Sequence, residues 1–124
     1  MVKLKQVQDQ AHKFYFQQWQ GSEQPSPAFD GEVVYVTRRG WRHIVHDKNR
    51  TKSQAVSRLE LLQTAKHILE TKRTFDEYRQ QGGIEFWSLR SQVGDKIVCV
   101  VVRSAGNSPK HFFSVFVETY QPKK

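Results

Sequence analysis

The chain has 124 residues, enough for one domain with a single modest core. Lys and Arg total 20 against 12 Asp and Glu, a net charge of +8; such an excess favours polyanionic partners, nucleic acid ahead of an anionic membrane or an acidic protein. Hydrophobic residues make up 37% and aromatics 12%, which excludes a disordered basic tail.

No apolar run approaches the length of a membrane span, and no apolar stretch follows the basic N-terminus as in a secretory signal. The reading is therefore of a protein without a membrane partner. The single cysteine, Cys99, lies inside an apolar run. It excludes an intramolecular disulfide and a Cys-based zinc site. It fits a reducing cytoplasm, either the cell's own or that of a target cell into which the protein is delivered.

In chain order, residues 4 to 19 are expected to form a helix. Leu4, Val7, Ala11, Phe14 and Gln18 recur at spacings of three and four, with Tyr15 and Trp19 beside them. Gly21 to Phe29 holds Pro25 and Pro27 and reads as a linker, a tether for an accessory helix. This divides the chain into residues 1–30, helix and linker, and residues 31–124, the compact unit.

Glu32 to Thr37 reads as a strand, ended by Arg38, Arg39 and Gly40. WRHIVHDKNR follows on a turn or short helix. Thr51 with Gln54 three residues on resembles a capping box. It would open a helix running to about Leu69, with Val56, Leu59, Leu62, Ala65 and Leu69 buried. After Gly82 and Gly83 come three strands: Ile84 to Leu89, Ile97 to Val102 and His111 to Thr119. The run IVCVVV is apolar on both faces, so it is expected in the centre of the sheet with both faces covered. Short Gly- and Pro-containing links make the three strands a meander. The expected fold is α+β: helices packed on one antiparallel sheet, ordered strand, helix, three-stranded meander, with the N-terminal helix added.

Chemistry concentrates between Arg38 and Lys52. Arg38, Arg39, Arg42, Lys48, Arg50 and Lys52 place six permanent cations in fifteen positions, with His43 and His46 among them and only Asp47 opposing. Clustered cations suit phosphates, and the neighbouring Trp41 offers a base a stacking surface. In a helix, His43, His46 and Arg50 would share one face. Two imidazoles and a guanidinium meet the needs of metal-free RNA cleavage: a base for the 2′-hydroxyl, an acid for the leaving 5′-oxygen and a cation for the phosphorane. The plainer alternative is that each histidine merely packs or caps.

His43, His46 and His111 as metal ligands are disfavoured, because there is no HExxH and only Asp47 among the carboxylates has ligand spacing. No GxxxxGK[ST] is present. Neither metal nor other cofactor is expected. A second candidate group is Lys110, His111, Ser114 and Thr119 on or before the last strand. Ser114 interrupts an apolar series, so its hydroxyl must find a partner or face a cleft. His12 and His67 carry no assigned role.

The strand ending in TRRGWRHIVHDKNR, the helix SQAVSRLELLQTAKHIL and the meander closing in KHFFSVFVETY together resemble the barnase–EndoU–colicin–RelE superfamily of metal-independent RNases, most of all its phage-associated members. The resemblance covers about residues 32 to 119. It implies a helix packed on an antiparallel sheet and an active site across the sheet face. It also implies endonucleolytic cleavage leaving a 2′,3′-cyclic phosphate. On this likeness His43, then His46, is catalytic, Arg50 binds phosphate, and Ser114 or Thr119 completes the site. The acidic base of the barnase branch has no clear counterpart, Glu85 and Glu118 being the only candidates, so base and acid stay unassigned.

The partner is thus RNA, touched by Arg38, Arg39, Trp41, Arg42, Lys48, Lys52, Lys110 and His111. A toxin or mobile-element enzyme of this kind would be matched by an immunity or antitoxin protein. The rival expectation is a non-enzymatic RNA- or DNA-binding module using the same basic face.

Overall fold

The computed structural model describes residues 4–45 and 51–120. Among them, four α-helices pack with a four-stranded antiparallel sheet, and a two-stranded sheet lies at the side. The fold is α+β.

Helix α1 (Leu4–Lys13) continues into a π-helical turn, Phe14–Trp19. The turn is closed by the Gln20 amide donating to the Tyr15 carbonyl at 2.9 Å. This stretch is not an appendage on a tether. Val7, Ala11, Tyr15 and Trp19 are buried in the same core as the sheet. Trp19 and Tyr15 both meet Phe112 of the last strand, at ring separations of 5.0 and 6.4 Å. The Gly21–Phe29 segment is likewise ordered by structure of its own. Strands β1 (Pro25–Ser26) and β2 (Glu32–Val33) pair across a 3₁₀ turn at Pro27–Phe29. The strand expected over Glu32–Thr37 is correspondingly shorter. Beyond Val33 only Tyr35 pairs, by a single parallel bridge to His111.

Helix α2 spans Arg38–Val45. Thr37 starts it, its hydroxyl accepting from the Gly40 amide at 3.1 Å. The long helix after Thr51 is two helices, α3 (Lys52–Glu60) and α4 (Leu62–Thr71), joined at Leu61. The capping box is present: Thr51 Oγ1 accepts from the Gln54 amide, and the Gln54 side chain accepts from the Thr51 amide.

The meander has four strands, not three. Strand β3 (Glu77–Gln81) precedes β4 (Ile84–Val93), β5 (Lys96–Ala105) and β6 (His111–Tyr120), in that spatial order. All five residues of β3 are exposed, so no apolar alternation marks it in the sequence. As expected, IVCVVV lies in an inner strand, paired to β4 and β6.

The sheet has two unlike faces. Trp87, Leu89, Val98, Val100, Val102, Phe112 and Val115 point into the core, joined there by Leu62, Ala65, Ile68 and Leu69 of α4. The other face is open, so the second apolar face of β5 is cleft floor and not core. Helices α2 and α3 pack along β6 and hang side chains over that open face.

Gly40 sets how closely α2 approaches. A Cβ there would stand 2.7 Å from the Phe112 carbonyl oxygen and 2.8 Å from the Tyr15 hydroxyl. Helix propensity alone favours Ala over Gly by about 1 kcal/mol. Overpacking against a backbone oxygen, which cannot rotate away, costs about 1–3 kcal/mol. Gly40→Ala should therefore lower the thermal midpoint, measurable by circular dichroism, although it lies inside a helix.

A candidate RNA cleft on the open face of the sheet

A cleft of ≈ 380 Å³ runs over the open face, and its lining includes His43, Arg58, Arg79, Arg90, Phe113, Ser114 and Glu118. Strand alternation builds its floor. Phe86, Ser88 and Arg90 of β4 share a face with Cys99, Val101 and Arg103 of β5, as their register requires. On β6 the register shifts between Val101 and Val102, so Ser114 pairs with Val101 and Phe112 with Val102. That irregularity inserts Phe113 and lets both Phe113 and Ser114 line the cleft.

Two helices supply the wall. His43 of α2 stacks on Phe113, with ring centroids 4.0 Å apart and planes 21° apart. Its helix is anchored by buried Trp41 and Ile44 on either side. Arg58 of α3 donates through Nη1 to Ser114 Oγ at 2.6 Å, and its guanidinium sits 5.1 Å from the centre of the Phe116 ring. The polar interruption of the last strand thus has a guanidinium partner inside a cleft. Cations cover the remaining aromatics: Arg79 lies 4.8 Å from the Phe86 centroid and Arg103 5.1 Å from that of Phe113.

At the far end Arg90 is engaged by acids. It donates to both Glu118 carboxylate oxygens and to Glu77 Oε1 at 2.7 Å. These contacts hold its pKa above the ordinary value, the Glu118 hydrogen bonds first. Cys99 is buried in the floor, and burial pushes its thiol pKa up, which makes it a poor nucleophile.

Of the sequence-predicted residues, His43 and Ser114 come together in the cleft. Arg38 and Arg42 are exposed on α2, and Lys52 is exposed at the start of α3. Arg39 and His111 line a second pocket at the Tyr35 end of the same sheet face. His46, Lys48 and Arg50 lie outside the described residues.

Two expectations are corrected. Trp41 is 7% exposed and packed against Tyr15, Phe16 and His12, so it offers no face to a base. Lys110 pairs with Glu32 at 2.9 Å and lies over Trp87 and Phe29, so its charge is held by Glu32 away from the open face. Arg58, Arg79, Arg90 and Arg103 were not among the expected site residues. The strand arginines had a signal: Arg90 and Arg103 stand at the alternate positions to buried Leu89 and Val102. Arg58 had less, being one charge at the border of a helix's apolar stripe.

Among the described residues no group of three His, Cys, Asp or Glu side chains is placed to hold a metal ion, and no helix is long and apolar enough to cross a membrane. The chain matches no family model, no curated protein and no solved structure.

His111 adds a pH dependence to stability. Burial lowers its pKa, and the Arg103 charge lowers it further. The folded protein therefore resists protonating a group that the unfolded chain protonates near the ordinary value of about 6.5. The unfolded state binds more protons in that interval, so stability rises with pH. The contribution is complete above the ordinary histidine value and is lost as pH falls through it toward the lowered one. Thermal midpoints measured from pH 7.5 to 5 should fall, and His111→Gln should flatten that part of the curve.

Proposed function

We propose that the protein is a metal-independent endoribonuclease, and that the open face of the sheet is its active cleft. One observation carries this reading: His43, Arg58 and Ser114, from α2, α3 and β6, converge on one cation-lined cleft. A proton-transfer group beside a phosphate-binding guanidinium and a hydroxyl is what 2′-hydroxyl attack on the adjacent phosphate requires.

In this mechanism the phosphodiester lies against Arg58 and Ser114. His43 transfers a proton at the 2′-oxygen or at the leaving 5′-oxygen. Arg58 stabilises the charge that builds on the phosphorane oxygens. The O2′–P bond forms, the P–O5′ bond breaks, and the products are a 2′,3′-cyclic phosphate and a 5′-hydroxyl. Glu118 and His46 are the candidates for the complementary proton transfer. The resemblance to barnase–EndoU–colicin–RelE nucleases supports the same chemistry and, with it, a phage-associated or toxin role in a cytoplasm and a cognate immunity protein. Arg38, Arg39, Arg42, Lys48 and Lys52 would hold the flanking phosphates.

The test is total RNA incubated with purified protein in EDTA. Chelator-resistant cleavage is expected. RNA that is bound but never cut would instead assign the same face to a binding module.

A further inference from the structure

We infer that the pocket at the Tyr35 end of the open face is a nucleobase subsite, seating a base of the RNA next to the scissile phosphate. This rests on the reading of the main cleft as the RNA site. The pocket has a volume of ≈ 530 Å³, and its lining includes Tyr35, Thr37, Arg39, Ser108, Pro109 and His111.

Four observations fit a base. The first is an aromatic face. Tyr35 is 46% exposed although its neighbours Val34 and Val36 are buried. Its backbone is fixed on both sides of His111, with its amide donating to the Lys110 carbonyl and its carbonyl accepting from the Phe112 amide. A rigid, exposed ring is a stacking surface of low entropic cost.

The second is an unmet hydrogen bond. His111 Nε2 is buried and has no partner among the described residues. On a neutral imidazole one nitrogen donates and the other accepts, so Nε2 can make one bond to a ligand. Either tautomer meets the edge of a base, which offers both N–H donors and carbonyl or ring-nitrogen acceptors. Burial and the Arg103 charge keep the ring neutral at neutral pH. His111 therefore reads as a base contact, where the sequence suggested only a residue of the RNA- and phosphate-binding set.

The third is a second unpartnered donor on the same sheet face. Arg103 is the register partner of His111 on the next strand, and its Nε is also buried with no partner among the described residues. The fourth is position. Arg39 and His43 are four residues apart on α2, about 6 Å along its axis. One helix face thus supplies the pocket with a cation and the cleft with its imidazole, so the two sites are neighbouring stations for one strand.

The experiment is binding of fluorescent 2′-O-methyl tetranucleotides, which lack the nucleophile and cannot be cut by this chemistry. An abasic site is scanned through each position. For wild type, one abasic position should weaken binding about tenfold or more, the range of a lost base stack. Tyr35→Ala should cause the same loss with intact oligonucleotides and little further loss with the abasic one. Tyr35→Phe should behave as wild type, and His111→Gln should change which base is preferred at that position. If Tyr35→Ala and His111→Gln bind every oligonucleotide as wild type does, while Arg58→Ala binds weakly, the subsite is wrong and the cleft reading stands. If wild type binds none of them, both fall.

Discussion

Replacing His43 by alanine should reduce RNA cleavage by about two to four powers of ten, the usual worth of a positioned acid or base, and leave the fold intact. The two halves of this expectation have separate grounds. The loss follows from position: the imidazole stacks on Phe113 at the cleft and stands on the helix that also carries Arg39. The tolerance follows from packing. His43 is half-buried, whereas Trp41 and Ile44, which fix the helix to the core, are untouched. Circular dichroism should give a midpoint close to wild type. The pH–rate profile should lose one limb, which removal of a merely structural ring would not cause. Equal rates for His43→Ala and wild type would remove the residue from the mechanism.

Arg58→Ala should cost roughly two to three powers of ten in cleavage, comparable to removing an electrostatic stabiliser from an enzyme's active site. Arg58 donates to Ser114 Oγ at 2.6 Å and, in the proposed reaction, would also meet the phosphate. Arg58→Lys should recover only part of the rate, because an ammonium keeps the charge but not the planar fork that reaches both. Ser114→Ala should be milder, since it removes one bond to the guanidinium and leaves the charge in place. Single-turnover kinetics on a defined oligonucleotide separates these cases. A lysine variant as active as wild type would reduce Arg58 to a surface cation.

What the sequence disclosed follows from which forces write local patterns. The inner strand was legible because IVCVVV offers water no polar face, and the capping box because it is a contact between residues three apart. His43 and Ser114 were visible as a histidine in a basic run and a hydroxyl in an apolar strand. Strand β3 was hidden because all its residues are exposed, and backbone pairing to β4 defines it without any apolar period. Trp41 looked available beside its cations, but the core that receives it is built by Tyr15 and Phe16, some 25 positions away. Tertiary packing likewise joins Arg58 to Ser114 across 56 positions, a distance over which no spacing rule operates. The N-terminal segment read as accessory because its prolines signal a loop. Its aromatics, paired with Phe112 and Trp41, are what make it integral.

The most direct test of the cleft is a DNA oligonucleotide carrying a single ribonucleotide, incubated with the protein in EDTA and analysed by mass spectrometry. If 2′-hydroxyl attack at the His43–Arg58–Ser114 cleft is the reaction, scission falls only at the 3′ side of the ribonucleotide. The upstream fragment then ends in a 2′,3′-cyclic phosphate, and His43→Ala yields far less of it. Cleavage at deoxyribonucleotides, or fragments ending in 3′-hydroxyl and 5′-phosphate, would contradict it.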